Sequence, residues 1–286
     1  MNNTEQTLIN WYPGHMTKGM REIKENASLA DVFIMVLDAR CPISSYNEDF
    51  DAIAPQKPRL FVITKSDLMD DNKKNLIQKR FGNEQVLWLD LRKKSSRDQI
   101  IKAIKKCTRE KVERDKQKGF LISKIKVFVV GVPNAGKSSL INLISQKQSL
   151  KVANMPGITR AKKWVAVDNI YFMDTPGILL PKLTDQKAAV KLAMVGSIET
   201  TIFPLRFLAN QYLKTLAEYY PEKIEKEFNV DLTEMLSQEF TDTVAYNVFA
   251  NMAVNKNFKI NNKPDFNKIY VHFINWVKNL KGVTYD

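Results

Sequence analysis

Gly131-Val132-Pro133-Asn134-Ala135-Gly136-Lys137-Ser138 fits the pattern G-x-x-x-x-G-K-[ST]. In that pattern backbone N–H groups cradle phosphates, the lysine reaches the β- and γ-phosphates, and the final hydroxyl binds Mg²⁺. The flanks suit it. Lys126-Val127-Phe128-Val129-Val130 is apolar and β-branched, as a buried strand requires, and Ser139-Leu140-Ile141-Asn142-Leu143-Ile144 continues as a helix. A helix N-terminus facing an anion completes the site. An ordinary glycine turn is the alternative, but it would not need a strand before it and a helix after it. The candidate phosphate-binding residues are therefore Pro133, Asn134, Ala135, Gly136, Lys137, Ser138 and Ser139.

Upstream, Val32 to Leu37 forms a strand-sized apolar run that delivers Asp38-Ala39-Arg40, and Arg59 to Ile63 forms another that opens onto Thr64-Lys65-Ser66-Asp67. In P-loop GTPases an Asn/Thr-Lys-x-Asp element at a strand end reads guanine. The carboxylate accepts from the ring N–H and the exocyclic amine, which adenine does not present in that geometry, and the lysine stem packs along the base. Asp67 would thus select GTP over ATP, with a capping box for a helix over 70–81 as the alternative. A strand over 85–91 and a basic amphipathic helix over 97–118 follow.

Downstream of the P-loop, Met155-Pro156-Gly157-Ile158-Thr159 places Thr159 where a switch threonine reaches Mg²⁺ and the γ-phosphate. Two short strands, over 164–167 and 170–173, form a hairpin around Asp168-Asn169. They lead into Asp174-Thr175-Pro176-Gly177, a D-x-x-G element in which Asp174 holds Mg²⁺ through water and the Gly177 amide senses the γ-phosphate. From about Asp185 the pattern is helical only. Apolar stripes at 205, 208, 209, 212, 213 and 216, and at 266, 269, 270, 273, 274 and 277, mark bundle core.

Composition bounds the rest. At 286 residues and 44% apolar content, the chain can build one large or two medium domains. No apolar run approaches a membrane span, the start lacks a signal segment, and Cys41 and Cys107 have neither metal-ligand spacing nor disulfide density. These features predict a cytoplasmic protein with reduced thiols. The net charge is +13, and residues 187–286 carry 12 Lys+Arg against 11 Asp+Glu, so the excess sits in the nucleotide-binding part. Much of it lies between Lys102 and Lys126, with Arg160, Lys162 and Lys163 forming a second group. Such a surface attracts a polyanion, although residues 102–118 alone would also suit a solvated helix face.

The guanine-reading element precedes the P-loop, whereas an ordinary GTPase places it after D-x-x-G. The parts of one α/β nucleotide domain are thus present in circularly permuted order, with Asn10-Trp11-Tyr12-Pro13-Gly14-His15-Met16 ahead of them. This order resembles the YlqF/RbgA family, the ribosome biogenesis GTPase A proteins, over the whole chain. The resemblance implies a permuted GTPase domain with a mainly parallel sheet over 1–184, including an N-terminal segment 1–30, and a helical C-terminal domain over 185–286. It implies a monomeric GTPase, stimulated by ribosomal particles, that acts in late assembly of the large (50S) subunit. GTP would favour docking on ribosomal RNA, and hydrolysis would favour release. Carried over by residue, it puts Lys137 on the phosphates, Ser138, Thr159 and Asp174 on Mg²⁺, Gly177 at the γ-phosphate, Lys65 and Asp67 on guanine, and Asn134 on a K⁺ ion. Thr64 stands where the usual element has Asn and loses an amide contact to the loop. Asp90-Leu91-Arg92 replaces the usual Ser-Ala-Lys-like contact to the base.

Ile178 follows Gly177 where Ras-like enzymes carry a water-positioning Gln, so the catalytic group comes from elsewhere. The resemblance points to His15, while its Pro-Gly turn also suits a purely structural histidine. Two other readings stay open on sequence: a catalytically weak, GTP-dependent RNA-binding scaffold, and a permuted GTPase of small-subunit assembly.

Overall fold

The computed structural model describes residues 8–9, 14–145, 164–179 and 185–286. Thr159, the basic group at 160–163 and the aromatic stretch at 10–13 lie outside the described residues. By contacts the chain divides into two compact units, Tyr12–Lys182 with Asp286, and Met1–Trp11 with Leu183–Tyr285.

The first unit is a six-stranded sheet in the order β3-β2-β1-β4-β6-β5. Its strands are β1 (Val32–Asp38), β2 (Arg59–Thr64), β3 (Gln85–Leu89), β4 (Ile125–Gly131), β5 (Trp164–Val167) and β6 (Ile170–Asp174). All neighbours are parallel except the β5–β6 hairpin. Every residue of β1 is buried, as expected for a central parallel strand covered on both faces. Phe33, Phe128 and Trp164 meet edge to face across β1, β4 and β5 and anchor one side of the core.

The chain steps from β1 outward to β3, then returns to place β4 on the other side of β1. That reversal opens a crevice at the carboxyl ends of β1 and β4, where open α/β sheets bind ligands. Asp38 is paired with Thr64 across β1 and β2, Val36 with Gly131 across β1 and β4, and Val129 with Asp174 across β4 and β6. The register therefore brings the Thr64–Asp67, P-loop and D-x-x-G elements to one edge despite their permuted order.

Helices in this unit are α1 (Gly14–Asn26), α2 (Lys74–Arg80), α3 (Ser95–Cys107), α4 (Arg109–Gln117) and α5 (Lys137–Ser145). The single basic helix expected over 97–118 is broken at Thr108, whose Oγ1 donates back to the Ile104 carbonyl at 2.9 Å, a local bond that competes with helix continuation.

The second unit contains α6 (Gln186–Met194), α7 (Leu205–Tyr219), α8 (Pro221–Phe228), α9 (Thr233–Ser237), α10 (Asp242–Asn255) and α11 (Phe266–Lys278). Asp185, Thr241 and Asp265 cap α6, α10 and α11 through their side chains. Leu208, Ala209, Tyr212, Leu213 and Leu216 of the first apolar stripe and Ile269, Tyr270, Phe273, Ile274 and Val277 of the second are buried, whereas Leu205, which opens the first, is 41% exposed. The unit is not helical throughout. A two-stranded hairpin, β7 (Lys259–Ile260) and β8 (Lys263–Pro264), turns through Asn261 and Asn262, both with positive φ (49° and 63°), the conformation that Asn tolerates in tight hairpins. Ile9 is fully buried and exchanges hydrogen bonds with the Gln186 side chain. No helix among the described residues is long and apolar enough to cross a membrane.

Candidate functional site

The P-loop is shaped by close approach as much as by flexibility. A Cβ on Gly131 would stand 2.3 Å from the Val36 carbonyl oxygen, so only glycine lets β4 end against β1. Asn134 (φ 57°) and Gly136 (φ 101°) take left-handed backbone, which gathers successive N–H groups into an anion-binding concavity. Helix α5 starts at once, with Leu140 N–H donating to the Gly136 carbonyl at 2.8 Å.

Lys137 is 7% exposed, and its ammonium donates to the carbonyls of Gly131 (3.1 Å) and Val132 (2.9 Å). Burial lowers its pKa to about 8, against a smaller opposing pull from Asp174. A phosphate supplies the negative charge that this desolvated cation lacks. Ser138 Oγ donates to Asp174 Oδ2 at 3.1 Å. A hydroxyl and a carboxylate converging on one side of a phosphate cradle are the hard oxygen ligands Mg²⁺ takes, so Ser138 and Asp174 are the described residues that would hold it.

The D-x-x-G segment is bonded to the P-loop strand at two points. Thr175 Oγ1 donates to the Val129 carbonyl (2.7 Å), and Ile178 N–H donates to the Gly131 carbonyl (3.1 Å). A Cβ on Gly177 would lie 2.7 Å from both N and Cα of Pro133. Backbone thus approaches backbone closely between the D-x-x-G segment and the P-loop. Ile178 is 1% exposed and faces the core.

The base side is assembled from three strand ends. Thr64 is buried, and its Oγ1 lies 2.6 Å from the Ala135 carbonyl and 3.0 Å from the Leu37 carbonyl. The threonine therefore keeps a contact to the P-loop through its hydroxyl. Lys65 (φ 56°) donates to the Asn134 carbonyl (2.7 Å) and to Asp38 Oδ2 (2.6 Å). The capping function, the alternative reading for Asp67, belongs to Asp70, which accepts from Asn72 N–H. The Asp67 carboxylate instead faces Arg92, with Nη2 to Oδ2 at 2.7 Å. Thr64, Lys65, Asp67, Leu68, Asp90, Leu91, Arg92, Gly136 and Ser139 line a cavity of about 280 Å³ between the guanine-reading element and the P-loop.

Asp38 and Arg40 have a part that motif matching did not assign. Asp38 is fully buried and accepts from Arg40 N–H (3.0 Å), Nε (3.0 Å) and Nη2 (2.9 Å), as well as from Lys65. Burial alone would raise its pKa, but Arg40 and Lys65 outweigh it and hold the carboxyl below the ordinary aspartate value. The signal in the sequence was a charged Asp-x-Arg ending an otherwise apolar strand. His15 lies in the first turn of α1 and is exposed; one turn later Gly19 is buried, and a Cβ on it would stand 3.2 Å from Pro176 and 3.4 Å from Ile178.

The comparisons with known proteins agree with this geometry. A family profile described as "50S ribosome-binding GTPase" matches residues 126–238. Ribosome biogenesis GTPase A of Bacillus pumilus is 37% identical over 230 residues, covering 79% of this chain and 81% of its own. The chain belongs to the ribosome biogenesis GTPase A family. A probable ribosome biogenesis GTPase A of Mycoplasma genitalium is 31% identical and covers 89% of this chain and 96% of its own. The fold matches a GDP-bound "TM YlqF" structure (TM-score 0.64, 20% identity, 93% and 98% coverage) and a GNP-bound YlqF from T. maritima (0.60, 22%, 94% and 97%). The chain is thus a GTP-binding and GTP-hydrolysing enzyme of ribosome biogenesis. GTPases of this class use Mg²⁺, which the Ser138–Asp174 pair fits.

Proposed function

We propose that this GTPase acts in late assembly of the large (50S) subunit as a cytoplasmic monomer, docking on ribosomal RNA with GTP bound and leaving after hydrolysis. The observation that carries the reading is the family match over residues 126–238, which includes the phosphate and D-x-x-G elements and extends into the helical region. The charge distribution supports it. Lys102, Lys105, Lys106, Arg114, Lys116, Lys118 and Lys124 form no salt bridge among the described residues, and six of them project from α3, α4 and the turn after α4. Beside them Phe120, Leu121 and Ile122 are 59%, 100% and 71% exposed. Unpaired cations with an exposed aromatic suit a phosphate backbone with accessible bases. The helical domain over 185–286 adds to the docking surface, and binding is salt-dependent.

Hydrolysis proceeds with Lys65 and Asp67 on guanine, and with Pro133, Asn134, Ala135, Gly136, Lys137, Ser138 and Ser139 around the phosphates. Ser138, Asp174 and Thr159 are the Mg²⁺ ligands, Asn134 is the K⁺ ligand, and Gly177 senses the γ-phosphate. His15 is the catalytic group. Ile178 is apolar and buried and so cannot orient water, whereas His15 is exposed in the first turn of α1, one turn before the buried Gly19, where a Cβ would meet Pro176 and Ile178. Ribosomal particles stimulate the reaction by completing this arrangement.

GTPase assays and co-sedimentation with isolated 30S and 50S particles, in K⁺ and in Na⁺, test the proposal. The expected outcome is 50S-specific binding that is stronger with a GTP analogue than with GDP, and K⁺-dependent stimulation by 50S. Equal binding of the two nucleotide forms would defeat the switch, since a ligand without differential affinity shifts no equilibrium. A preference for 30S would move the protein to small-subunit assembly.

A further inference from the structure

The guanine-reading carboxylate has a neighbour that GTPase motifs do not supply. Arg92 N–H and Nε both donate to Asp90 Oδ1 (3.0 and 2.9 Å), and Nη2 donates to Asp90 Oδ2 (2.9 Å). The same Nη2 reaches Asp67 Oδ2 at 2.7 Å, so its two hydrogens serve two carboxylates. Asp90 is a fixed anchor. It is 8% exposed at the end of the β3 segment, and its carbonyl accepts from the buried Ser96 hydroxyl at 2.7 Å. Arg92 itself is 72% exposed and Asp67 25% exposed, and both line the base cavity.

We propose that Arg92 is a positioning residue for guanine recognition: held by Asp90, its guanidinium fixes the Asp67 carboxylate in the orientation that accepts the base. The proposal rests on the reading of Asp67 as the guanine contact and deepens it. An ionised carboxylate offers about four acceptor sites, and Arg92 occupies one of them on Oδ2. The guanine N1–H and exocyclic amine require one site on each oxygen, so the base binds with Arg92 still in place. The planar fork is what makes this possible, because one guanidinium can grip Asp90 bidentately and still present an N–H to Asp67. Asp90-Leu91-Arg92 thereby takes up, through an ion-paired chain, the support that a Ser-Ala-Lys-like turn would give.

Affinities of the full-length protein for GDP and inosine diphosphate, which lacks the exocyclic amine, test this directly. The ratio of the two isolates the amine–carboxylate contact. Arg92→Ala should weaken GDP by about tenfold, the equivalent of one well-placed charged hydrogen bond losing its geometry, and should weaken inosine diphosphate less. The GDP preference therefore falls several-fold. Arg92→Lys keeps the charge without the fork and should lose most of the same preference. Asp90→Asn, which weakens the anchor, should fall between wild type and Arg92→Ala. Equal weakening of both nucleotides would reduce Arg92 to a support of the 90–96 turn. Unchanged affinities, or tighter GDP binding from removal of a competitor for Oδ2, would also overturn the proposal. Asp67→Asn serves as the separate control. If it leaves the GDP preference intact, Asp67 is not the guanine contact and both readings fall; if it abolishes the preference while Arg92→Ala does not, only the role of Arg92 falls.

Discussion

Nucleotide binding should be linked to protonation of Lys137. In the free protein its ammonium is desolvated among P-loop carbonyls and its pKa is lowered to about 8. Bound phosphates restore a counter-charge and push that pKa back up, so above pH 8 the protein must take up a proton to bind. With a free-protein pKa of about 8, uptake is about 0.1 proton per GDP at pH 7 and about 0.75 at pH 8.5. Apparent GDP affinity is then nearly flat below pH 7.5 and about tenfold weaker at pH 9 than at pH 7, a loss of about 1.4 kcal/mol. The sign follows from the direction of the shift. A base whose pKa is lowered in the free state is the one that loses its proton first, so rising pH favours the free form. Isothermal titration calorimetry in two buffers of different ionisation enthalpy, between pH 7 and 9, reads both quantities. Constant affinity across that range with no buffer-dependent heat would show that Lys137 stays charged in the free protein, and the desolvation argument would fail.

Three further outcomes follow from the geometry. Gly177→Ala places a Cβ 2.7 Å from the Pro133 backbone, so the loops must separate; about 1–3 kcal/mol of stability should be lost, together with preference for a GTP analogue over GDP, and an unchanged urea midpoint and preference would show that the contact yields freely. Asp38→Asn leaves Arg40 and Lys65 without their buried counter-charge, which should cost about 3–5 kcal/mol. Because the Asp38 pKa is lowered on folding, its stabilisation is complete above the ordinary aspartate pKa and is lost as pH falls through the lowered value, so the variant's stability should decline less steeply in acid than that of wild type. His15→Ala should reduce particle-stimulated hydrolysis by a factor on the order of 10²–10⁴ with GTP affinity near normal, and an unchanged stimulated rate in single-turnover assays would remove His15 from the mechanism.

The sequence alone determined the chemistry of this protein. Gly131 to Ser138, Asp174 to Gly177 and Thr64 to Asp67 are short local patterns of the residue types that GTPases use, and apolar runs such as Val32 to Leu37 announce their strands. The permuted order was equally legible, since order is a property of the chain. Local pattern went astray where a side chain bonded to its own backbone, as Thr108 does in breaking the basic helix, or where a turn as short as Asn261-Asn262 decided an element. Only the tertiary structure decided which distant residues became partners. Strand register set Asp38 beside Lys65, folding placed Arg92 against Asp67, and backbone contact between Gly177 and Pro133 fixed the spacing of the two phosphate loops. Such pairings depend on distances across strands, and separation along the chain carries no trace of them.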